Sequence, residues 1–273
     1  MQGGHIPLRD LVLLVALVTL AWVGAGRLGG FAVQAVARNE PFRFDAPRMA
    51  TFWREVVART ALRALSPFGA FEGRMPGPMG DDRPVLLVAE PGSTRHSMAV
   101  LALYLRGKGR SRVLTVDCGP IAADLPHRAG FVADHVASFA RATGGKPVDV
   151  VAFAVGGLAV AWSVRHLEVA PLVHRFVSIG TPWQGTQLAV FGGPRTPWEI
   201  RHGAPVLDGL VPPAVPTTAI WGDDDPMVVP AMSAAPTGAT CVRIPGGGHH
   251  ELLLSARVYR EVLAALDAAD PAP

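Results

Sequence analysis

The sequence predicts an α/β fold, a mostly parallel, doubly wound sheet of about six strands with helices on both faces, preceded by a membrane-type N-terminal helix. Three observations carry that expectation. Short, almost wholly apolar runs recur beyond residue 84, stretches of helical periodicity separate them, and a longer apolar run opens the chain.

With 273 residues, 49% hydrophobic and 17% charged, the chain is long enough to bury one sizeable core. One globular domain with an N-terminal extension is expected. The formal charge of +3 comes from arginines scattered along the chain, with no block of like charge and no aromatic-interleaved basic motif. That pattern argues against nucleic acid as a partner and suits mild affinity for an anionic membrane surface. The two cysteines, Cys118 and Cys241, build neither a zinc site nor a disulfide framework, and are expected to be buried small apolar residues.

Residues 1–40 hold the run LVLLVALVTLAWVGAG from Leu11 to Gly26. Its length of about 16 residues falls short of the roughly 20 that cross a bilayer. It reaches that length if Arg27 snorkels and the helix continues to Ala37, which makes it an anchor. Arg9 ahead of the run and the small residues Gly24, Ala25 and Gly26 support a cleaved signal peptide instead, and a hairpin packed on the domain is the third option. The first two place the protein at a membrane or export it. Residues 41–83 divide into an amphipathic helix and a linker. From Pro47 to Leu65, Met49, Phe52, Val56, Val57, Ala61 and Leu65 share one face at helical spacing, opposite arginines. The helix packs either on the domain or at a membrane surface. The Gly/Pro stretch 73–84 follows as the linker.

The main domain is expected over 84–273. Its strands are read at 84–89, 112–117, 148–153, 174–180, 217–222 and 240–245, and its helices at 95–106, 129–142, 157–167 and 251–268. In parallel sheets ligands sit beyond the carboxyl ends of the strands, so the loops after residues 89, 117, 153, 180, 222 and 245 are where chemistry is expected.

Those loops read AFAVGGL (152–158), GTPWQGT (180–186), WGDDDPMVVP (221–230) and PGGGHHELLL (245–254), in that order. Over about 190 residues the series resembles the bacterial lipase and esterase branch of the α/β-hydrolase superfamily, whose nucleophile sits on a sharp strand-to-helix turn, normally G-x-S-x-G. The resemblance implies an α/β-hydrolase fold and a serine carboxylic ester hydrolase with a catalytic triad, acting on an ester or lipid small molecule. It places the nucleophile at Ala154, the acid at Asp225 and the base at His249, with His250 competing for the last role. A methyl group cannot attack a carbonyl, and the nearest serine in the following helix, Ser163, lies more than two turns further on. The oxyanion donors it implies are the Val155 N–H and a second from the loop after the first strand. Aligned without a gap that second position is Pro91, which has no N–H, and Glu90 brings a negative charge to the site; with two inserted residues it is Ser93. Trp183 stands where the family often has His, and Phe191 and Trp198, in a Gly/Pro-rich stretch 191–203 that resembles a lid, line an acyl pocket or pack in the core.

Three functions follow from these residues. One is a membrane-tethered pseudoenzyme that binds a lipid or acyl ligand. The second is an active serine lipase or esterase disabled by a deliberate Ser-to-Ala substitution. The third is hydrolysis by water activated directly by His249 and Asp225. No metal or organic cofactor is expected, because histidines and acids show no ligand spacing beyond the triad pair.

Overall fold

Six strands form one sheet in the order β2-β1-β3-β4-β5-β6, every neighbouring pair parallel. The computed structural model describes residues 8–41, 45–64, 82–91, 95–191 and 198–269, and of residues 8–20, 22 and 23 only the helical backbone. The strands are β1 (Val85–Ala89), β2 (Val113–Asp117), β3 (Val148–Phe153), β4 (Val173–Ile179), β5 (Thr217–Gly222) and β6 (Thr240–Ile244). The helices are α1 (Leu8–Ala37), α2 (Ala46–Ala64), α3 (Ala99–Gly107), α4 (Leu125–Ala142), α5 (Val155–His166) and α6 (Ala256–Asp267). The expected strands agree with these to within a residue at each end. Most of the linker read over 73–84, together with Ser93 and the middle of the lid-like stretch, lies outside the described residues.

Alternation along the strands divides the core in two. Leu86, Val88, Val150 and Ala152 face Phe139 of α4 and Leu158 of α5. Val85, Leu87, Val151 and Phe153 face Leu101 of α3 and Val258 and Val262 of α6. Successive side chains of a strand point to opposite faces, so a strand buried on both sides must be apolar at every position. β1 meets this at all five positions and β3 at five of its six, the exception being the buried Asp149, which lies 2.8 Å from His174 Nδ1. The edge strand β6 departs from the expectation. Thr240, Cys241 and Arg243 are exposed, and Cys241 is therefore a surface thiol while Cys118 is buried.

The closing helix expected over 251–268 is two elements. A 3-10 turn, His250–Leu254, stops at Ser255, whose extended backbone and side chain cap α6 by accepting from the Val258 N–H. Likewise the helix expected from residue 95 begins as a 3-10 turn over Arg95–Met98.

The N-terminal helices correct two expectations. Helix α1 does run on to Ala37, yet Arg27 does not snorkel. It is buried together with Phe31, Gln34 and Ala35, a helical stripe that packs against the domain. Gly30 fits there because a Cβ would collide with the Pro226 carbonyl. Among the described residues no helix is long and apolar enough to cross a membrane. In α2 the buried stripe is Thr51, Glu55, Ala58 and Leu62, with Val56 beside it, whereas Met49 and Val57 from the expected apolar face are exposed. The helix is turned toward Glu55 because that carboxylate has partners waiting in the domain, described next.

Candidate active site

The loop after β3 turns within one residue. Ala154 has φ +50° and ψ −127°, a conformation that favours glycine, and Val155 is already the first residue of α5. Ala154 donates its N–H to the Ile179 carbonyl at 2.9 Å, which ties the turn to β4. A non-glycine residue held there costs on the order of 1–3 kcal/mol, so the surrounding packing imposes the shape. As the first helical residue, Val155 carries an N–H with no acceptor inside α5.

The loop after β5 holds Asp225, which is 1% exposed. Its Oδ1 accepts the N–H groups of Met227 (2.7 Å) and Val228 (3.0 Å), and its Oδ2 lies 2.6 Å from His249 Nδ1. His249 is buried and its ring stacks obliquely on Phe153, centroids 4.8 Å apart. Burial alone would disfavour the charged ring. The Asp225 carboxylate and its hydrogen bond, with Glu90 and Glu55 behind, outweigh that and raise the His249 pKa above its ordinary value. Asp223, by contrast, takes no part in this pair. It accepts the Gly246 N–H and pairs with Arg243, fastening the β5 loop to the β6 loop.

A cavity of about 180 Å³ opens at the turn, lined among others by Glu90, Ala154, Val155, Leu188, Ile200, Met227 and His249. Of the residues expected around the site, Ala154, Val155, Asp225 and His249 are thus brought together, from three loops at the carboxyl edge of the sheet. Pro91 directly follows Glu90 in the loop after β1. The aromatic expectations fare differently. Trp183 is 1% exposed in the core beside Phe176, because the turn after β4 points it beneath the sheet edge. Trp198 is 58% exposed and does not line the cavity; two residues on, Ile200 does. Phe191 is exposed and lines a neighbouring groove. Ser163 donates to the Val160 carbonyl within its own helix and is spoken for.

Sequence reasoning missed a second set of residues. His250, whose ring meets that of His249 edge-on with centroids 5.0 Å apart, reaches into a buried cluster built from α1 and α2. Its Nδ1 lies 2.9 Å from an Arg27 nitrogen and 3.4 Å from Glu55 Oε2, and its Nε2 lies 2.6 Å from Arg59 Nη1 and 3.5 Å from Glu90 Oε1. Each ring nitrogen therefore faces one guanidinium and one carboxylate, and it can accept from the first or donate to the second. Glu55 Oε1 also accepts the Glu251 N–H at 2.8 Å, and Oε2 lies 3.4 Å from Arg27 Nε. This contact explains Gly248: a Cβ there would fall 2.6 Å from Glu55 Oε1. Glu90 pairs with Arg59 at 3.0 Å. Its burial would raise the pKa, but the His250 hydrogen bond and the charges of His250, Arg59 and His249 hold it well below the carboxylate range. The signal was present in α2, where Glu55 is the single acid of an arginine-rich helix.

Among the described residues no group of three or more His, Cys, Asp or Glu is arranged to hold a metal ion. No family model and no curated protein matches the sequence. Solved structures do. The chain is similar to lipase B of Aspergillus fumigatus, with a TM-score of 0.58 and 18% identity over 77% of this chain, and it spans 58% of that protein's length. It is also similar to the mature lipase BlEst2 of Bacillus licheniformis (TM-score 0.57, 14% identity, 71% of this chain and 96% of that one). Est1E from Butyrivibrio proteoclasticus gives a TM-score of 0.51 at 15% identity, over 69% and 90% of the two chains. The chain thus has the α/β-hydrolase fold, and lipases and esterases are its structural neighbours.

Proposed function

We propose that this protein binds an ester or acyl ligand on a hydrolase scaffold without turning it over, Ala154 standing at the nucleophile position. The observation that carries the reading is the Ala154 turn itself: its backbone is strained, its methyl lines the cavity, and His249 with its Asp225 partner lines it too. In a serine hydrolase the histidine removes the nucleophile's proton and the carboxylate steadies the ring. Here no hydroxyl occupies the turn. Loss of the serine in such a triad costs about a millionfold in turnover, or about 8 kcal/mol. Glu90 in the cavity wall opposes a developing oxyanion, and in the ungapped reading of its loop Pro91 offers no second donor.

The complete His–Asp pair and the retained strain favour a second reading, in which a serine-bearing form of this chain is a working lipase or esterase. Fluorophosphonate labelling and nitrophenyl ester hydrolysis of the full chain and of Ala154→Ser separate the two. The proposal expects no labelling of the parent chain, and a variant that stays at least a hundredfold below an ordinary esterase, because Glu90 and Pro91 remain. Labelling of the parent at any residue overturns both readings. Vigorous turnover by Ala154→Ser establishes the second.

A further inference from the structure

Beside the cavity over Ala154 lies a larger one of about 690 Å³, between α1, α2 and the 3-10 turn Gln187–Phe191, within the size range of small-molecule sites. Two residues, Leu188 and Met227, line both cavities. They form the partition between the outer groove and the candidate active site. The groove has two chemical sides. Leu188, Phe191 and Met227 give it an apolar wall, while Arg27, Arg59 and Arg63 give it three guanidinium groups.

The charges do not balance. Glu55 faces Arg27 and Glu90 faces Arg59, whereas Arg63 has no carboxylate partner among the described residues. Among the described residues the groove therefore carries one cation more than its acids neutralise, next to an apolar wall that leads to a mostly apolar inner cavity. We infer that the groove binds a single-chain anionic amphiphile, a long-chain fatty-acid carboxylate, with its headgroup at Arg63 and Arg59 and its chain running past Leu188 and Met227 toward Ala154. A guanidinium takes a carboxylate through two parallel hydrogen bonds, which an ester cannot reproduce. The inference rests on the reading of the chain as an acyl-ligand binder, and names the ligand class.

Calorimetric titration of the full chain with dodecanoate, methyl dodecanoate and acetate, each below its aggregation threshold, tests it. Saturable one-to-one binding of dodecanoate is expected, with the methyl ester at least tenfold weaker and acetate silent. Arg63→Gln is expected to weaken dodecanoate about tenfold and leave the methyl ester unchanged. Gly29 lines the groove with open space around its Cβ position, so Gly29→Phe fills the groove without clashing in α1 and is expected to abolish dodecanoate binding at an unchanged melting temperature. Equal affinity for acid and methyl ester overturns the inference, as does an unaffected Arg63→Gln or Gly29→Phe. Binding of phosphatidylglycerol vesicles that needs Arg63, with none of dodecanoate, overturns it too and assigns the patch to a lipid surface. Esterase activity in the parent chain would refute the non-hydrolytic reading and leave these binding outcomes to stand or fall separately.

Discussion

Replacing Glu55 by Gln isolates the electrostatic content of the contact between α2 and the histidine loop. Glu55 is fully buried, and burial alone would raise its carboxyl. The hydrogen bond and charge of His250, the Arg27 guanidinium and the Glu251 N–H instead lower it from 4.5 to about 2. At about 1.4 kcal/mol per unit, that shift corresponds to about 3 kcal/mol. The figure agrees with the usual 3–5 kcal/mol lost when one partner of a buried ion pair is removed. Because the folded-state pKa is depressed, the stabilisation is complete above 4.5 and disappears as pH falls through about 2. Urea unfolding of both proteins at pH 7 should therefore differ by about 3 kcal/mol, and the gap should shrink to about half or less at pH 3. A difference below about 0.5 kcal/mol at pH 7, or one that does not change with pH, would refute the assignment of Glu55 as a charged, paired group in the fold.

Two further outcomes follow from the active-site geometry. The raised pKa of His249 means that the charged ring stabilises the fold below about 6.5 and stops doing so as pH rises through the folded value. Histidine-selective NMR titration should find one ring protonated above the ordinary range, and Asp225→Asn should bring that ring down. Ala154→Gly relieves the φ of +50° and should stabilise the chain by roughly 1 kcal/mol in thermal unfolding, whereas destabilisation would contradict a strained turn.

The sheet was legible in the sequence because a strand buried on both faces leaves no choice of residue type, and β1 and β3 announce themselves by composition alone. That Asp225 and His249 meet was legible through the resemblance of their loops to the lipase and esterase pattern, since the strand ends alone do not single them out from Asp223, Asp224 and His250. Three things were hidden. The buried face of α2 could not be read from hydrophobic periodicity, since its organising residue is the charged Glu55, and only the distant His250 and Arg27 make its burial tolerable. For the same reason a hydropathy reading treats Arg27 as a side chain to be kept in water, when its partners lie 28 and 223 residues away along the chain. The aromatic residues near the site were misassigned because nothing local tells Trp183, buried under β4, from Ile200, which reaches the cavity.

Ala154→Cys asks most directly whether the turn aims its side chain at the His249 imidazole. Cys118 will not interfere, because burial pushes its thiol up to about 12, and the exposed Cys241 can be changed to Ser beforehand. Iodoacetamide alkylation across pH then reports the new thiol alone. A thiol pKa well below the ordinary 8.5 or so, restored toward it by His249→Ala, is the expected result. A thiol that titrates at or above that value, indifferent to His249, would mean that position 154 does not face the histidine.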